Sequence, residues 1–190
     1  PLPAVGPSSP IHIVWNHRWE YDKGPDLLLA VCLELERTRC SYQISILGQK
    51  FRKIPNEFME IKLKFQHRLR HWGYVEEVDA YHAILSRAHI ALSTALHDFQ
   101  GLAIMEAVQF NCIPIVPDHL AYREFLGEGA IFYTPDGDIS KTAKIIAELI
   151  GAIDIESYGP VSVENLGIER LLPQYEAWFR KVLVDGADGA

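Results

Sequence analysis

Apolar residues along this chain fall into two textures that alternate from the first segment to the last. Ile11-His12-Ile13-Val14-Trp15 is a short, nearly unbroken apolar run, and Tyr42 to Leu47, His71 to Val75, His89 to Thr94, Ile113 to Val116 and Ala130 to Tyr133 repeat it. Short runs rich in β-branched and aromatic residues predict strands covered on both faces. Between them the apolar positions take helical spacing. Leu27, Leu28, Val31 and Leu35 share one face of a helix that opens at Pro25, where a fixed φ and a missing N–H suit a first helical turn. Phe58, Ile61, Phe65 and Leu69 predict a helix over Asn56 to Arg70, and similar patterns predict helices over Val78 to Ala88, Gly101 to Phe110 and Ile139 to Ile150. Strand and helix in regular alternation predict an α/β domain, a Rossmann-like doubly wound parallel sheet whose ligands bind beyond the carboxyl ends of the strands. A last helix, near Glu169 to Val184, aligns Leu172, Tyr175, Trp178, Phe179 and Val182. That stripe is expected to pack on the domain's own sheet, the alternative being a partner domain outside the chain.

Length and composition narrow this picture. With 190 residues, 48% of them hydrophobic, one domain can bury a core without metals or disulfides. Pro1 to Pro10 carries four prolines and reads as a linker, so the ordered domain is expected over residues 11–184, followed by a small, acidic, disordered tail at 185–190. No apolar run reaches the ~20 residues that cross a bilayer, and no signal pattern opens the chain, so a soluble cytoplasmic protein is expected. Three cysteines, Cys32, Cys40 and Cys112, are odd in number and lack metal-ligand spacing, which predicts reduced, mostly buried thiols. A net charge of -7 argues against a protein that coats nucleic acid. Within this acidic chain Lys50, Arg52, Lys53, Lys62, Lys64, Arg68 and Arg70 nevertheless form a basic island, either a solvated helix face or a contact for a phosphate backbone. His17, His71, His89, His97 and His119 are scattered without a metal-binding pair, and no metal is expected. A Gly-x-Ser-x-Gly elbow and a Walker loop are both missing.

Three loops at predicted strand ends carry candidate chemistry. Asp98 precedes a predicted helix and Glu106 lies one to two turns inside it, with Gly101 at the turn between. The helix start offers amides to a phosphate, and the two acids can meet hydroxyl groups; equally, Asp98 can be a helix cap and Glu106 an ordinary surface glutamate. After the first strand, Arg18 and Lys23 bring two cations beside Gly24, enough to neutralise a diphosphate or simply to pair with Glu20 and Asp22. Gly73, flanked by Trp72 and Tyr74, ends another strand, where flat rings can hold a base or fill a core.

In this order, the Arg18/Lys23 loop, the Gly73-Tyr74-Val75 turn and the block from Asp98 through Glu106-Ala107 to Ile113-Pro114-Ile115-Val116 resemble the C-terminal, donor-binding half of a retaining GT-B glycosyltransferase of the family 4 type. Ser93-Thr94-Ala95-Leu96-His97-Asp98-Phe99-Gln100-Gly101, with Pro117-Asp118-His119-Leu120-Ala121-Tyr122-Arg123-Glu124, is similar within it to the tRNA-queuosine mannosyltransferase group. The resemblance implies GDP-mannose as donor, the queuosine of tRNA-Asp as acceptor, no permanently bound cofactor and no metal. By position, Arg18 and Lys23 would hold the diphosphate, Asp98 the mannose hydroxyls and Glu106 the ribose. The amides of Gly101 and Leu102 would take phosphate, and Gly73 and Tyr74 would lie near guanine. Asp98 stands where the family more often has glutamate, one methylene longer. The resemblance further implies that an N-terminal acceptor domain is absent from these 190 residues, that the chain alone is inactive, and that the basic island meets tRNA. A glycan or lipid acceptor, or a non-catalytic nucleotide-binding domain, are the competing readings.

Overall fold

The computed structural model describes residues 9–50, 53–119, 121–161 and 167–187. Six strands, β1 (Ile11–Trp15), β2 (Tyr42–Leu47), β3 (Leu69–Gly73), β4 (Ile90–Leu92), β5 (Ile113–Pro117) and β6 (Ile131–Tyr133), form one sheet in the order β3-β2-β1-β4-β5-β6. All neighbouring pairs are parallel. The helices are α1 (Pro25–Arg37), α2 (Asn56–Lys64), α3 (Val78–Leu85), α4 (Leu102–Gln109), α5 (Tyr122–Leu126), α6 (Ile139–Ala152) and α7 (Ile168–Ala187). The chain runs outward from β1 to β3, returns to β4 on the other side of β1, and runs outward again. That reversal leaves a crevice above β1 and β4, because the loops leaving them diverge to opposite faces.

The two-residue period of the strands divides the core. Ile13 and Trp15 of β1 face α1, α2 and α6 through Leu28, Leu35, Phe58 and Ile146, all fully buried. Val14 faces the other way, toward Leu85 of α3, Ile104 of α4 and Tyr122 of α5. Both sheet faces are covered, which is why the strands read as continuous apolar runs rather than alternating ones. Cys32 and Cys112 are buried free thiols, and desolvation pushes both up to about 12, so neither ionises at neutral pH.

Three elements depart from the sequence pattern. The expected helix over Asn56 to Arg70 stops at Lys64, and a 3-10 turn leads into β3 two residues earlier than expected. Leu69 continues the helical spacing but pairs with Ile44 in the sheet instead, and a register shift follows at once, with Ser45 opposite His71. Helix α5 lies in a stretch given no element by periodicity, since five residues are too few to show a period. The expected packing of the last helix on the sheet is not found: Leu172, Tyr175, Trp178, Phe179 and Val182 of α7 are each about half exposed. Its apolar stripe therefore contributes little to this domain's core. Residues 1–8 of the expected linker and 188–190 of the expected tail lie outside the described residues, while residues 185–187 belong to α7.

Candidate functional site

The loop leaving β1 is clamped onto the end of β4. Trp15 Nε1 donates to Thr94 Oγ1 at 2.9 Å, and Thr94 Oγ1 donates onward to the Lys23 carbonyl at 2.8 Å. Gly24 sits at φ 62° directly under Thr94, where a Cβ would lie 2.1 Å from the Thr94 carbonyl oxygen. Only glycine allows that approach, and it turns the chain straight into Pro25 at the start of α1.

This clamp buries Lys23. Its ammonium donates to the His97 carbonyl at 2.7 Å and lies 3.2 Å from Asp22 and 3.6 Å from Asp98. Lys23 is 7% exposed, so the reading of a merely solvated loop fails for it, even though the expected pairing with Asp22 is present. Arg18 pairs with Glu20 at 3.0 Å on the rim of the crevice, with over half of its side chain open.

Asp98 is held from several directions. Its Oδ1 accepts the Gly101 amide at 3.0 Å and its Oδ2 accepts the Tyr122 hydroxyl at 3.2 Å. Burial alone would raise this carboxyl. The Gly101 amide, the Lys23 charge and the Tyr122 hydroxyl overcome it and hold Asp98 below the ordinary aspartate range. His17 Nδ1 lies 4.0 Å from the same oxygen. Desolvation of His17 outweighs the attraction of Asp98 and lowers its pKa to about 4, so the imidazole is neutral at physiological pH.

The crevice has two lobes. One, about 330 Å³, is lined by Arg18, Asp22, Lys23, Asp98, Gln100 and Leu102. The other, about 320 Å³, is lined by Arg18, Tyr74, Val75, Glu76, Tyr81 and Glu106. Asn16, His17 and Arg18 line both and form the waist between them. Asp98 and Glu106 thus sit in different lobes, separated by a cationic waist. An elongated, polar, anionic ligand with different groups at its ends fits this arrangement.

Most residues named from the sequence converge on the crevice: Arg18, Lys23, Tyr74, Asp98, Leu102 and Glu106 line it directly. Gly73 ends β3 at φ 103° and delivers Tyr74, which is 62% exposed, to the second lobe. Gly101 needs correction. The space beside its Cα is filled by the Tyr122 and Phe125 rings, 2.8 and 2.7 Å from where a Cβ would stand, and its amide already serves Asp98. It shapes the turn, and at the start of α4 it is Leu102 and Ala103 that line the first lobe. Trp72 is a core ring against Trp19 at 4.8 Å. Asn16, Tyr81 and Tyr122 were not singled out by sequence. Asn16 alone carried a signal, a polar residue directly after the apolar β1 run.

Outside the crevice, the basic island is partly self-neutralised. Arg68 grips Glu36 through Nε at 2.6 Å and Nη2 at 3.2 Å, and Lys64 pairs with Glu60. Lys50, Lys53, Lys62 and Arg70 are exposed, and Arg52 lies outside the described residues. Among the described residues no helix is long and apolar enough to cross a membrane.

Similarity to known proteins follows the same outline. A tRNA-queuosine alpha-mannosyltransferase of Drosophila melanogaster is 29% identical over 177 residues, 92% of this chain and 47% of that protein. The chain therefore spans about half the length of this curated relative. The alpha,alpha-trehalose-phosphate synthase (UDP-forming) of Burkholderia vietnamiensis superposes with a TM-score of 0.73 at 16% identity, over 93% of this chain and 46% of that one. The Burkholderia multivorans trehalose 6-phosphate synthase gives 0.74 at 16% identity, over 94% and 44%. At that identity the likeness concerns the fold, the Rossmann-like α/β domain of GT-B glycosyltransferases. The family model of the group 1 glycosyl transferases matches residues 7–152, from β1 through the whole two-lobed crevice to the end of α6, and the chain belongs to that family.

Proposed function

We propose that this chain is the donor-binding half of a retaining mannosyltransferase that moves mannose from GDP-mannose to the queuosine of tRNA-Asp. The observation that carries the reading is the waist of the crevice: Arg18 stands between one lobe holding the buried Lys23 and Asp98 and another holding Tyr74 and Glu106. A nucleoside diphosphate sugar has that order of parts. With the nucleoside in the second lobe, Glu106 accepts from ribose hydroxyls and the Tyr74 ring lies near the base. Glu76 adds a carboxylate at the same lobe, and acceptor oxygens suit guanine, whose Watson–Crick edge presents two adjacent N–H groups. The diphosphate spans the waist. As the sugar–phosphate bond breaks, charge grows on the departing GDP, and Arg18, Lys23 and the first amides of α4 stabilise it without a metal ion. The sugar occupies the first lobe, where Asp98 meets its hydroxyls.

The name of the Drosophila relative supports the mannose donor and the tRNA acceptor. The exposed cations Lys50, Lys53, Lys62 and Arg70 support contact with a phosphate backbone. On this reading the protein works in the cytoplasm, the acceptor is held by an N-terminal domain outside these residues, and the chain by itself does not transfer. The test is a transfer assay on the full-length protein. Labelled mannose is expected to pass from GDP-mannose to tRNA-Asp bearing queuosine, not to the same tRNA without it, and Glu106→Ala is expected to cut turnover at least tenfold. Transfer to a glycan or lipid acceptor instead overturns the acceptor assignment; full turnover in Glu106→Ala favours a crevice without a catalytic role.

A further inference from the structure

We infer that Tyr81 is a positioning residue for nucleotide binding, the middle of a relay that holds Glu106 in the orientation needed to grip ribose. The inference rests on the nucleotide reading of the second lobe. Three elements meet in it. Asn16, at the end of β1, donates from Nδ2 to the Tyr81 hydroxyl of α3 at 2.8 Å and to the Ala103 carbonyl of α4, also at 2.8 Å. Because a carbonyl only accepts, the nitrogen of the Asn16 amide must face Ala103, and its orientation is fixed by chemistry. The Tyr81 hydroxyl, having accepted from Asn16, turns its own proton to Glu106 Oε2 at 2.8 Å.

The consequence is directional. Tyr81 engages one oxygen of Glu106, so Oε1 is the oxygen left for a ribose hydroxyl. Glu106 is an exposed glutamate on a helix, and such a side chain otherwise samples several rotamers. Fixing it before the ligand arrives lowers the ordering cost of binding. Asn16 is 8% exposed and ties the relay to the waist of the crevice, with the backbone of α4 as its second anchor. Burial raises the Tyr81 phenol above its ordinary value, so the relay keeps its donor.

Calorimetric titration of this chain with GDP, 2′-deoxy-GDP and 3′-deoxy-GDP tests the assignment. The unaltered chain is expected to bind GDP about tenfold more tightly than the analogue lacking the hydroxyl that Glu106 accepts. Tyr81→Phe keeps the ring and removes only the hydroxyl. It is expected to lose about tenfold in GDP affinity, to bind that deoxy analogue as before, and so to lose the discrimination, as Glu106→Gln does. In the double variant the two losses should not add. In the full-length enzyme the donor KM should rise with kcat nearly unchanged. GDP binding with an unaltered preference over both analogues in Tyr81→Phe overturns the positioning role. Failure of the unaltered chain to bind GDP at all overturns the nucleotide reading beneath it.

Discussion

Single side chains in this crevice are defined by what surrounds them more than by their type. Lys23 and Arg18 are five residues apart in one loop, yet one is a buried ammonium within reach of two carboxylates and a carbonyl and the other an open guanidinium on the rim. Their candidacy was legible because two cations beside a glycine at a strand end are an unusual combination. His17 was not, since a histidine among scattered histidines carries no mark of its burial. Gly101 was misread for a related reason: a glycine required by a neighbouring aromatic ring looks the same in sequence as one that admits a ligand. Buried neutral histidines also give the fold a pH signature. Desolvation lowers His17 to about 4, and the same cause, opposed only by a hydrogen bond to the Arg87 carbonyl, lowers His12 to about 4. The unfolded chain binds these two protons near pH 6.5 and the folded chain does not, so stability is full above that value and is lost as pH falls toward 4. Each histidine accounts for up to about 3 kcal/mol. Urea midpoints measured between pH 7 and 4 should fall across this window, and less steeply in His17→Gln; a flat profile contradicts the burial of both.

Among the elements, the strands and the main helices were readable because burial on both faces makes them apolar throughout. The boundary between α2 and β3 was not, because Leu69 satisfies both a helical period and a sheet pairing, and the pairing with Ile44 wins. Helix α5 is too short for periodicity, although its Tyr122 reaches Asp98. Helix α7 differs in kind: its stripe was correctly seen, but amphipathic spacing does not say which surface receives it. Substitution separates the two cases. Ile146→Ala, in the centre of α6 and fully buried, should cost about 2–5 kcal/mol, whereas Trp178→Ser on α7, 58% exposed, should change stability by less than about 0.5 kcal/mol. Denaturant unfolding of this chain measures both, and a large loss for Trp178→Ser would mean that α7 packs on the domain after all.

The molecule as a whole is one Rossmann-like domain whose strand order reverses at β1 and β4, and the two lobes are lined from the loops and helices at that carboxyl edge. Strand–helix alternation was enough to anticipate this architecture and the edge at which the crevice lies. It did not divide the crevice into two lobes, which depends on Asn16, His17 and Arg18 projecting together as a waist. The chain covers 47% of the Drosophila transferase, and on the proposed reading its own task is to hold the donor. That claim is tested most directly by calorimetric titration of this chain with GDP, UDP and ADP. Preferential binding of GDP, weakened about tenfold or more by Arg18→Ala and by Lys23→Ala, is the predicted result; no binding, or a clear preference for UDP, would contradict it.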